Sequence, residues 1–362
     1  MPRSPLLIGS CEPFSGKSAV VLGLAQQLRR KGHSFSFGKP LATCLQPQEI
    51  HQPGDPLLDA DVRFIGATLG LEEAQLIPSL AVLEPASAHQ RLLSGVVGPI
   101  EGMEALQARL NDAEAGLVIL EGAGRLSEGW MFGLGLVPLA RELQAVVVLV
   151  HPWQDSRDVE PLLEVQSQLG PLLAGVVING VPPGALASLR QDLVPALEGI
   201  GLPVLGVLPR SPLLRSVTVE ELSRRLGARV LCSRERLDLL VETLSIGAMN
   251  VNSAMEFFRR RRNMAVVTGA DRTDIQLAAL EASTQCLILT GVGEPLPQLL
   301  NRAEELEVPV LKVDHDTLTT VEVVEGAIGQ VRLHEAVKAT YAMRLVEENC
   351  HFERLFERLK LT

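Results

Sequence analysis

The stretch GSCEPFSGKS, from Gly9 to Ser18, constrains the fold of this chain more than any other segment. It follows an apolar run at 6–8, and residues 19–28 place apolar side chains at helical spacing. A strand, a glycine-containing loop and a helix in this order form the setting of a phosphate-binding loop, whose backbone N–H groups face the anion. We therefore expect a strand, an anion-binding loop and a helix at the beginning of the chain.

Four consecutive residues of this loop are the candidates for phosphate and metal binding. Backbone N–H groups at Ser15 and Gly16 would point at a phosphate from the positive end of the helix. The Lys17 ammonium would contact the outer phosphates, and the Ser18 hydroxyl would coordinate Mg²⁺. The loop departs from the usual spacing, because Cys11 stands where a glycine is typical. The alternative interpretation is a tight strand-to-helix turn with a chance Gly-Lys-Ser.

Apolar, strand-like runs alternate with helical patterns over the first two-thirds of the chain. Such alternation is typical of a parallel sheet with crossover helices. A fully apolar run such as 117–120 favours a central strand that is buried on both faces. The predicted strands lie at 6–8, 34–40, 117–121, 145–150, 174–178 and 203–209. The predicted fold class is α/β, with a P-loop NTPase-type, mostly parallel sheet and flanking helices, followed by a smaller α/β domain.

A second α/β pattern begins after Pro209 and Pro212, where the prolines and a change of pattern predict a boundary. The predicted domains are therefore 1–212 and 213–325, with a C-terminal helical tail at 326–362. The elements predicted after the boundary are helices at 219–226 and 274–281, strands at 264–268, 286–289 and 308–313, and one or two helices between 333 and 359.

Charged and polar side chains follow several of the predicted strands. Lys39, Glu121 and Asn179 each come at the end of one. Since ligands of open parallel sheets bind at the carboxyl ends of the strands, we expect these side chains and Lys17 at one edge. Glu121 and Asp61, an acid early in a helical pattern, are candidate Mg²⁺ ligands, and Asn179 would lie near a nucleotide base. Taken singly, each has a structural alternative: a solvated lysine, a helix cap, an acid of a first helical turn and an Asn-Gly turn.

Composition argues against several functional classes. A net charge of −10 and an aromatic content of 3% disfavour nucleic-acid and anionic-membrane surfaces. The one basic run, 259–262, is interpreted as the solvated end of a helix. No run approaches the ~20 apolar residues of a membrane span. Five scattered cysteines without metal-type spacing, and no signal-peptide pattern, predict a reduced, cytoplasmic protein.

The first domain resembles the dethiobiotin-synthetase-like branch of P-loop proteins. The segments that carry this resemblance are 16–18, 38–40, 121–124, 175–179 and 205–209. The resemblance implies binding of ATP and Mg²⁺, with Lys17 and Lys39 in the catalytic role. It also implies that Glu12 and Pro209 belong to the nucleotide-binding residues.

The second domain resembles the DRTGG domain through the stretches 246–249 and 268–276, although Asp274 and Ile275 replace the signature glycines. Asp271 and Arg272 lie in a turn between a strand and a helix, where they would bind an anion or a nucleotide. In the alternative interpretation, Asp271 and Thr273 cap the helix and Arg272 makes an internal salt bridge. The resemblance implies a homo-oligomer formed through this domain and an adenine nucleotide as ligand.

The two domains in this order resemble the N-terminal regulatory arm of long bacterial phosphotransacetylases. Those enzymes need a further catalytic domain, so phosphotransacetylase activity is not expected of these 362 residues. The resemblance implies an ATP- and Mg²⁺-binding regulator or sensor, with an unidentified protein partner and at most weak ATPase activity. Two alternatives stay open. One is an ATP-dependent ligase of the dethiobiotin synthetase type, with Glu12, Lys39 and residues 125–135 lining its pocket. The other is an adaptor with a vestigial nucleotide site.

Overall fold

The protein, as a computed structural model, divides into two units. The first comprises Met1–Arg210 and Arg332–Thr362, and the second comprises Ser211–Val331. The structure describes residues 4–44, 57–98, 102–110, 116–248 and 250–361. Met249, the last residue of the first stretch that resembles a DRTGG domain, lies outside the described residues. The predicted helical tail at 326–362 is divided between the units, since its residues from 332 onward belong to the first.

A seven-stranded parallel sheet forms the centre of the first unit. The strands of this unit are β1 (Leu6–Gly9), β2 (Phe35–Gly38), β3 (Leu41–Ala42), β4 (Leu76–Ile77), β5 (Ala81–Val82), β6 (Leu117–Glu121), β7 (Val146–Pro152), β8 (Leu173–Val181) and β9 (Val204–Pro209). The sheet has the spatial order β4-β2-β6-β1-β7-β8-β9, and all its pairings are parallel. Strands β3 and β5 form a separate parallel pair. The predicted parallel sheet is confirmed.

Helices connect these strands. They are α1 (Lys17–Arg30), α2 (Ala60–Leu69), α3 (Pro85–Ser94), α4 (Met103–Leu110), α5 (Leu136–Glu142), α6 (Val159–Leu169), α7 (Leu186–Ser188) and α8 (Val194–Gly199), with a π-helical turn at Leu189–Leu193. Every residue of the central strands β1 and β6 is buried, and both strands are apolar up to their last residues, Gly9 and Glu121. Ile8 is in register with Glu121, so the carboxylate lies beside the end of β1.

The second unit is a smaller α/β fold. Its elements are α9 (Pro212–Arg215), β10 (Val217–Thr218), α10 (Val219–Leu226), β11 (Arg229–Cys232), β12 (Leu240–Val241), β13 (Thr243–Ile246), α11 (Val251–Arg259), β14 (Met264–Gly269), α12 (Thr273–Leu280), β15 (Thr284–Thr290), α13 (Pro297–Glu305), β16 (Val310–Lys312) and α14 (Thr317–Ala327). Its main sheet has the order β11-β16-β15-β14-β13, in which only β11 is antiparallel. The helices and strands predicted here are confirmed to within a few residues, and the basic run follows α11 at its exposed end.

The C-terminal helices α15 (Ala336–Asn349) and α16 (Glu353–Arg358) complete the core of the first unit. Helix α15 packs so closely on α1 that a Cβ added at Gly23 would lie 2.4 Å from the Cβ of Val346. Cys350 then forms an antiparallel bridge with Gly206 of β9. The amphipathic pattern predicted these helices, but the glycine that admits α15 is visible only once both helices are in place.

Exchange of Gly23 for alanine is expected to destabilise the first unit by about 1–2 kcal/mol. Overpacking costs about 1–3 kcal/mol, and the 2.4 Å approach favours the upper part of this range, about 2–3 kcal/mol. That cost exceeds by about 1–2 kcal/mol the gain of about 1 kcal/mol that alanine has over glycine in a helix. The midpoint of thermal unfolding should fall by about 2–8 °C. Gly199→Ala is the control, because a Cβ at that helical glycine meets nothing within 4 Å. Equal effects of the two exchanges would contradict close packing of α15 on α1.

Candidate functional site

The loop between β1 and α1 requires glycine at position 16. Gly16 has φ +94°, and a Cβ there would lie 2.2 Å from Asn179 Nδ2. That nitrogen donates a 2.7 Å hydrogen bond to the Ser15 carbonyl, so a side chain of β8 stabilises the backbone of the loop. Asn179, predicted to lie near a nucleotide base, contacts the loop backbone in this structure.

The Lys17 side chain lies inside the loop. Its Nζ donates a 3.1 Å hydrogen bond to Ser10 Oγ, which itself lies 2.7 Å from the carbonyl oxygens of Glu12 and Gly124. Burial lowers the pKa of Lys17, and the nearby Glu121 carboxylate opposes this effect. A desolvated ammonium held by one hydroxyl is well placed to exchange that hydroxyl for a phosphate oxygen, which gives a stronger, charge-assisted hydrogen bond.

Glu121, at the end of β6, has a carboxylate with spare bonding capacity. Its Oε1 lies 3.4 Å from Ser18 Oγ at the start of α1. Its Oε2 is buried and has no hydrogen-bond partner among the residues that the structure describes. Burial raises the pKa of Glu121, against the opposing effect of the Lys39 and Lys17 ammonium groups. An unsatisfied buried carboxylate oxygen beside a hydroxyl fits the oxygen ligands that Mg²⁺ prefers.

Lys39 follows β2 and pairs with two acids around the start of α2. Its Nζ lies 2.6 Å from Asp61 Oδ2, 3.4 Å from Asp59 Oδ2 and 3.0 Å from Thr43 Oγ1. Asp59 caps α2 by accepting from the Asp61 amide at 2.8 Å. Burial lowers the pKa of Lys39, but the carboxylates of Asp61, Glu121 and Asp59 outweigh it and raise the pKa above its usual value. The predicted helix start with acids in its first turn is confirmed.

Two residues that the sequence analysis did not select also bind Asp61. Arg332 Nη1 lies 2.8 Å from Asp61 Oδ2, and His334 Nε2 lies 2.8 Å from Asp61 Oδ1. Arg332 Nη2 also donates to the Thr43 carbonyl at 3.1 Å. Burial raises the pKa of Asp61, but the hydrogen bonds and charges of His334, Lys39 and Arg332 outweigh it and hold the pKa well below its usual range. No local motif predicts this contact, because Arg332 and Asp61 are 271 positions apart in the sequence.

Of the remaining predicted residues, Glu12 contributes only its backbone carbonyl to these contacts, as an acceptor from Ser10 Oγ. Glu12 is exposed, and Pro209 ends β9 opposite Val181. Asp271 and Arg272 belong to the second unit, between β14 and α12, where Arg272 Nε donates to Asp274 Oδ1 at 3.2 Å. The structure thus brings the phosphate and metal candidates of the first domain to the carboxyl edge of its sheet, as expected for parallel strands.

The oxygen ligands at this edge fit a partly hydrated Mg²⁺ better than a metal enclosed by protein. Within the described ranges, no group of three or more His, Cys, Asp or Glu side chains is arranged to hold a metal ion. Mg²⁺ usually keeps several waters and takes one or two carboxylates together with phosphate oxygens. Glu121 and Ser18 can supply such a set.

Among the helices of the described residues, none combines the length and the apolar composition that a membrane span requires.

Two family models match the chain in succession. A model described as an AAA domain matches residues 4–218, and a model described as a DRTGG domain matches residues 221–327. The chain belongs to the AAA domain family. Its first domain is of the P-loop, dethiobiotin-synthetase-like kind, and its domain pair matches the N-terminal arm of phosphotransacetylases, as the sequence predicted.

Two curated relatives and one solved structure are similar to parts of this chain. The chain is 26% identical to a phosphate acetyltransferase from Nitratidesulfovibrio vulgaris, over 98% of this chain and 51% of that protein. It therefore spans about half the length of that relative. It is 29% identical to an ATP-dependent dethiobiotin synthetase from Parafrankia sp., over 57% of this chain and 84% of that protein. A structure of the CBS and DRTGG domains of a Clostridium perfringens pyrophosphatase, complexed with diadenosine tetraphosphate, is 15% identical over 42% of this chain and 74% of that one, with a TM-score of 0.29. A TM-score this low supports no functional comparison.

Proposed function

We propose that this AAA-family chain binds ATP together with Mg²⁺ at the carboxyl edge of its first sheet and acts as a regulatory or sensor module. The observation that carries the proposal is the buried Glu121 carboxylate, which has an unpartnered oxygen among the described residues and lies beside Ser18 at the start of α1. A carboxylate and a hydroxyl at a loop that presents a lysine form an arrangement suited to a metal-bound phosphate chain.

In this proposal the loop binds the phosphates. Backbone N–H groups at Ser15 and Gly16 and the Lys17 ammonium would replace water around the outer phosphates. Lys39 would add positive charge and, with Lys17, would stabilise the charge on a transferred phosphoryl group if the chain hydrolyses ATP. Asn179 would keep the loop in its binding conformation through its hydrogen bond to Ser15.

The metal would lie between Ser18 and Glu121, with Asp61 as a further ligand. When bound, Mg²⁺ would neutralise negative charge on the phosphates. Glu12 and Pro209 would line the rest of the nucleotide site.

We extend the proposal to the second unit and to location. Asp271 and Arg272 would contribute to an adenine-nucleotide site, and the DRTGG domain would bring copies of the chain together. All five cysteines are free thiols, which favours a reducing, cytoplasmic location.

A second candidate function is an ATP-dependent ligase that activates a carboxylate or an amine. The similarity to a dethiobiotin synthetase over most of that enzyme's length favours it. It differs from the sensor in one measurable respect, since a ligase releases ADP rapidly only when its small-molecule substrate is present.

The proposal is tested by calorimetric titration of the full chain with ATP, with and without Mg²⁺, while ADP release is followed. Saturable binding that Mg²⁺ strengthens, without appreciable turnover, is the expected result. Rapid turnover stimulated by a small carboxylate or amine would favour the ligase. Absence of binding would reject the nucleotide site and leave an adaptor.

Exchange of Glu121 for glutamine is expected to reduce the gain in ATP affinity that Mg²⁺ provides by roughly tenfold, because the neutral amide is a poorer metal ligand of the same shape. Affinity for metal-free ATP should stay the same or rise, since a negative charge is removed. Titrations with Mg²⁺ and with a chelator measure both quantities. Glu142→Gln, an exposed exchange at the end of α5, is the control. An unchanged Mg²⁺ dependence would remove Glu121 from the metal site.

A further inference from the structure

Both carboxylate oxygens of Asp61 have hydrogen-bond partners. Its Oδ2 accepts from Lys39 Nζ at 2.6 Å and from Arg332 Nη1 at 2.8 Å, and its Oδ1 lies 2.8 Å from His334 Nε2. The Asp61 side chain is 9% exposed, so both of these oxygens are held in a largely buried position. Its state contrasts with that of Glu121, whose Oε2 is unpartnered within the described ranges.

The contacts of Arg332 are local and specific. Its two terminal nitrogens bridge Asp61 and Thr43, and Thr43 also accepts from Lys39. The Arg332 side chain is 33% exposed, so it enters the site from the solvent side. The His334 ring also contacts Phe64 of α2, with the ring centroids 5.4 Å apart and the ring planes tilted by 40°.

A metal ion and this segment compete for the same oxygens of Asp61. Mg²⁺ requires its oxygen ligands at about 2.0–2.1 Å, and a guanidinium hydrogen-bonded to the same oxygen would place two cationic groups within a few ångströms. Lys39 can turn toward a phosphate without leaving the site, because its stem is flexible. Arg332 is anchored in the chain segment before α15, so its release requires that segment to move.

We propose that the segment Arg332–His334 is a latch that competes with Mg²⁺ for Asp61. This inference rests on the proposed function, since it describes how the metal-bound nucleotide is admitted. In the latched state Arg332 and His334 hold Asp61, and the site binds metal-bound nucleotide weakly. When Mg·ATP binds, Asp61 joins the metal and the segment detaches.

The latch directly follows the last residue of the second unit in the sequence. Val331 is the last residue of the second unit, and Arg332 is the first residue that returns to the first. Helix α15 begins at Ala336, so release of the latch would loosen the chain between Val331 and this helix. A sensor needs a segment whose state depends on the ligand, and this segment meets that requirement.

Replacement of Arg332 by glutamine tests the latch, because a competitor and a phosphate-binding residue have opposite effects on affinity. We expect R332Q to bind Mg·ATP roughly tenfold more tightly than the wild type, since one charge-assisted hydrogen bond to Asp61 is lost. Affinity for metal-free ATP should change less than about twofold. Arg344→Gln is the matched control, because Arg344 lies exposed on α15 and pairs with Glu348 on the same helix.

Backbone hydrogen exchange of residues 328–340 provides a second measurement. Mg·ATP should increase exchange there in the wild type, and R332Q should show the increased exchange without ligand. Weaker binding of both Mg·ATP and ATP by R332Q would make Arg332 a phosphate ligand and overturn the latch. Unchanged affinity of R332Q for Mg·ATP would also overturn the latch. If the wild type does not bind but R332Q does, both the site and the latch are supported. If neither protein binds, the proposed function fails and the latch fails with it.

Discussion

Replacement of Lys17 by alanine is expected to weaken Mg·ATP binding by about 2–3 kcal/mol, a loss of roughly 30- to 150-fold in affinity. The exchange removes the ammonium that would form charge-assisted hydrogen bonds with the phosphates. In the structure this ammonium is buried and donates to the Ser10 hydroxyl. Calorimetric titration of the variant beside the wild type measures the effect.

The same exchange is expected to leave the fold intact. Burial lowers the pKa of Lys17 despite the opposing charge of Glu121, as expected for an ammonium whose desolvation outweighs its favourable contacts. Removing it should therefore leave the midpoint of thermal unfolding unchanged or raised. Lys31→Ala, at the exposed C-terminal end of the same helix, is the matched control and should bind like the wild type. Equal affinity of the Lys17 and Lys31 variants would remove the loop from the binding site.

Replacement of Gly16 by alanine is expected to lower Mg·ATP affinity by at least about 3 kcal/mol, more than about 150-fold. A side chain at φ +94° is strained, and its Cβ would displace the Asn179 amide that holds the Ser15 carbonyl. The N–H groups that would face the phosphates then change direction together, so several hydrogen bonds are lost at once. Titration calorimetry measures the loss, and thermal unfolding measures the accompanying strain.

Gly32→Ala separates the two causes of that effect. Gly32 also has a positive φ, +81°, but a Cβ there meets nothing within 4 Å. It should show the conformational strain of about 1–3 kcal/mol without any loss of binding. If the Gly16 variant binds as well as the Gly32 variant, contact between position 16 and Asn179 is not needed for the binding conformation.

Much of the fold could be predicted because the relevant signals are local. The apolar run at 117–120 requires burial on both faces, and it became a fully buried central strand. The pattern of residues 219–226 predicted a helix, and α10 spans the same residues. Parallel strands place their carboxyl ends together, so Lys39 and Glu121 could be assigned to one edge without coordinates.

Other features depend on contacts between distant parts of the chain. The pattern of the C-terminal helices predicts that they exist but not which unit they cover. That assignment rests on the fit of Val346 against Gly23 and on the bridge from Cys350 to Gly206. Such fits depend on the shapes of two surfaces, and neither surface is specified by a local sequence pattern.

The sequence by itself determined the family, the parallel sheet and the loop between β1 and α1 that carries Lys17, because each is encoded by residues close together in the chain. Only the tertiary structure decided the state of Asp61. Its pairing with Arg332 and His334 joins residues more than 270 positions apart, so no local periodicity or spacing in the sequence predicts it. The physical reason is that a buried carboxylate takes whichever donors the packed fold brings to it, and those donors become known only when the chain is folded.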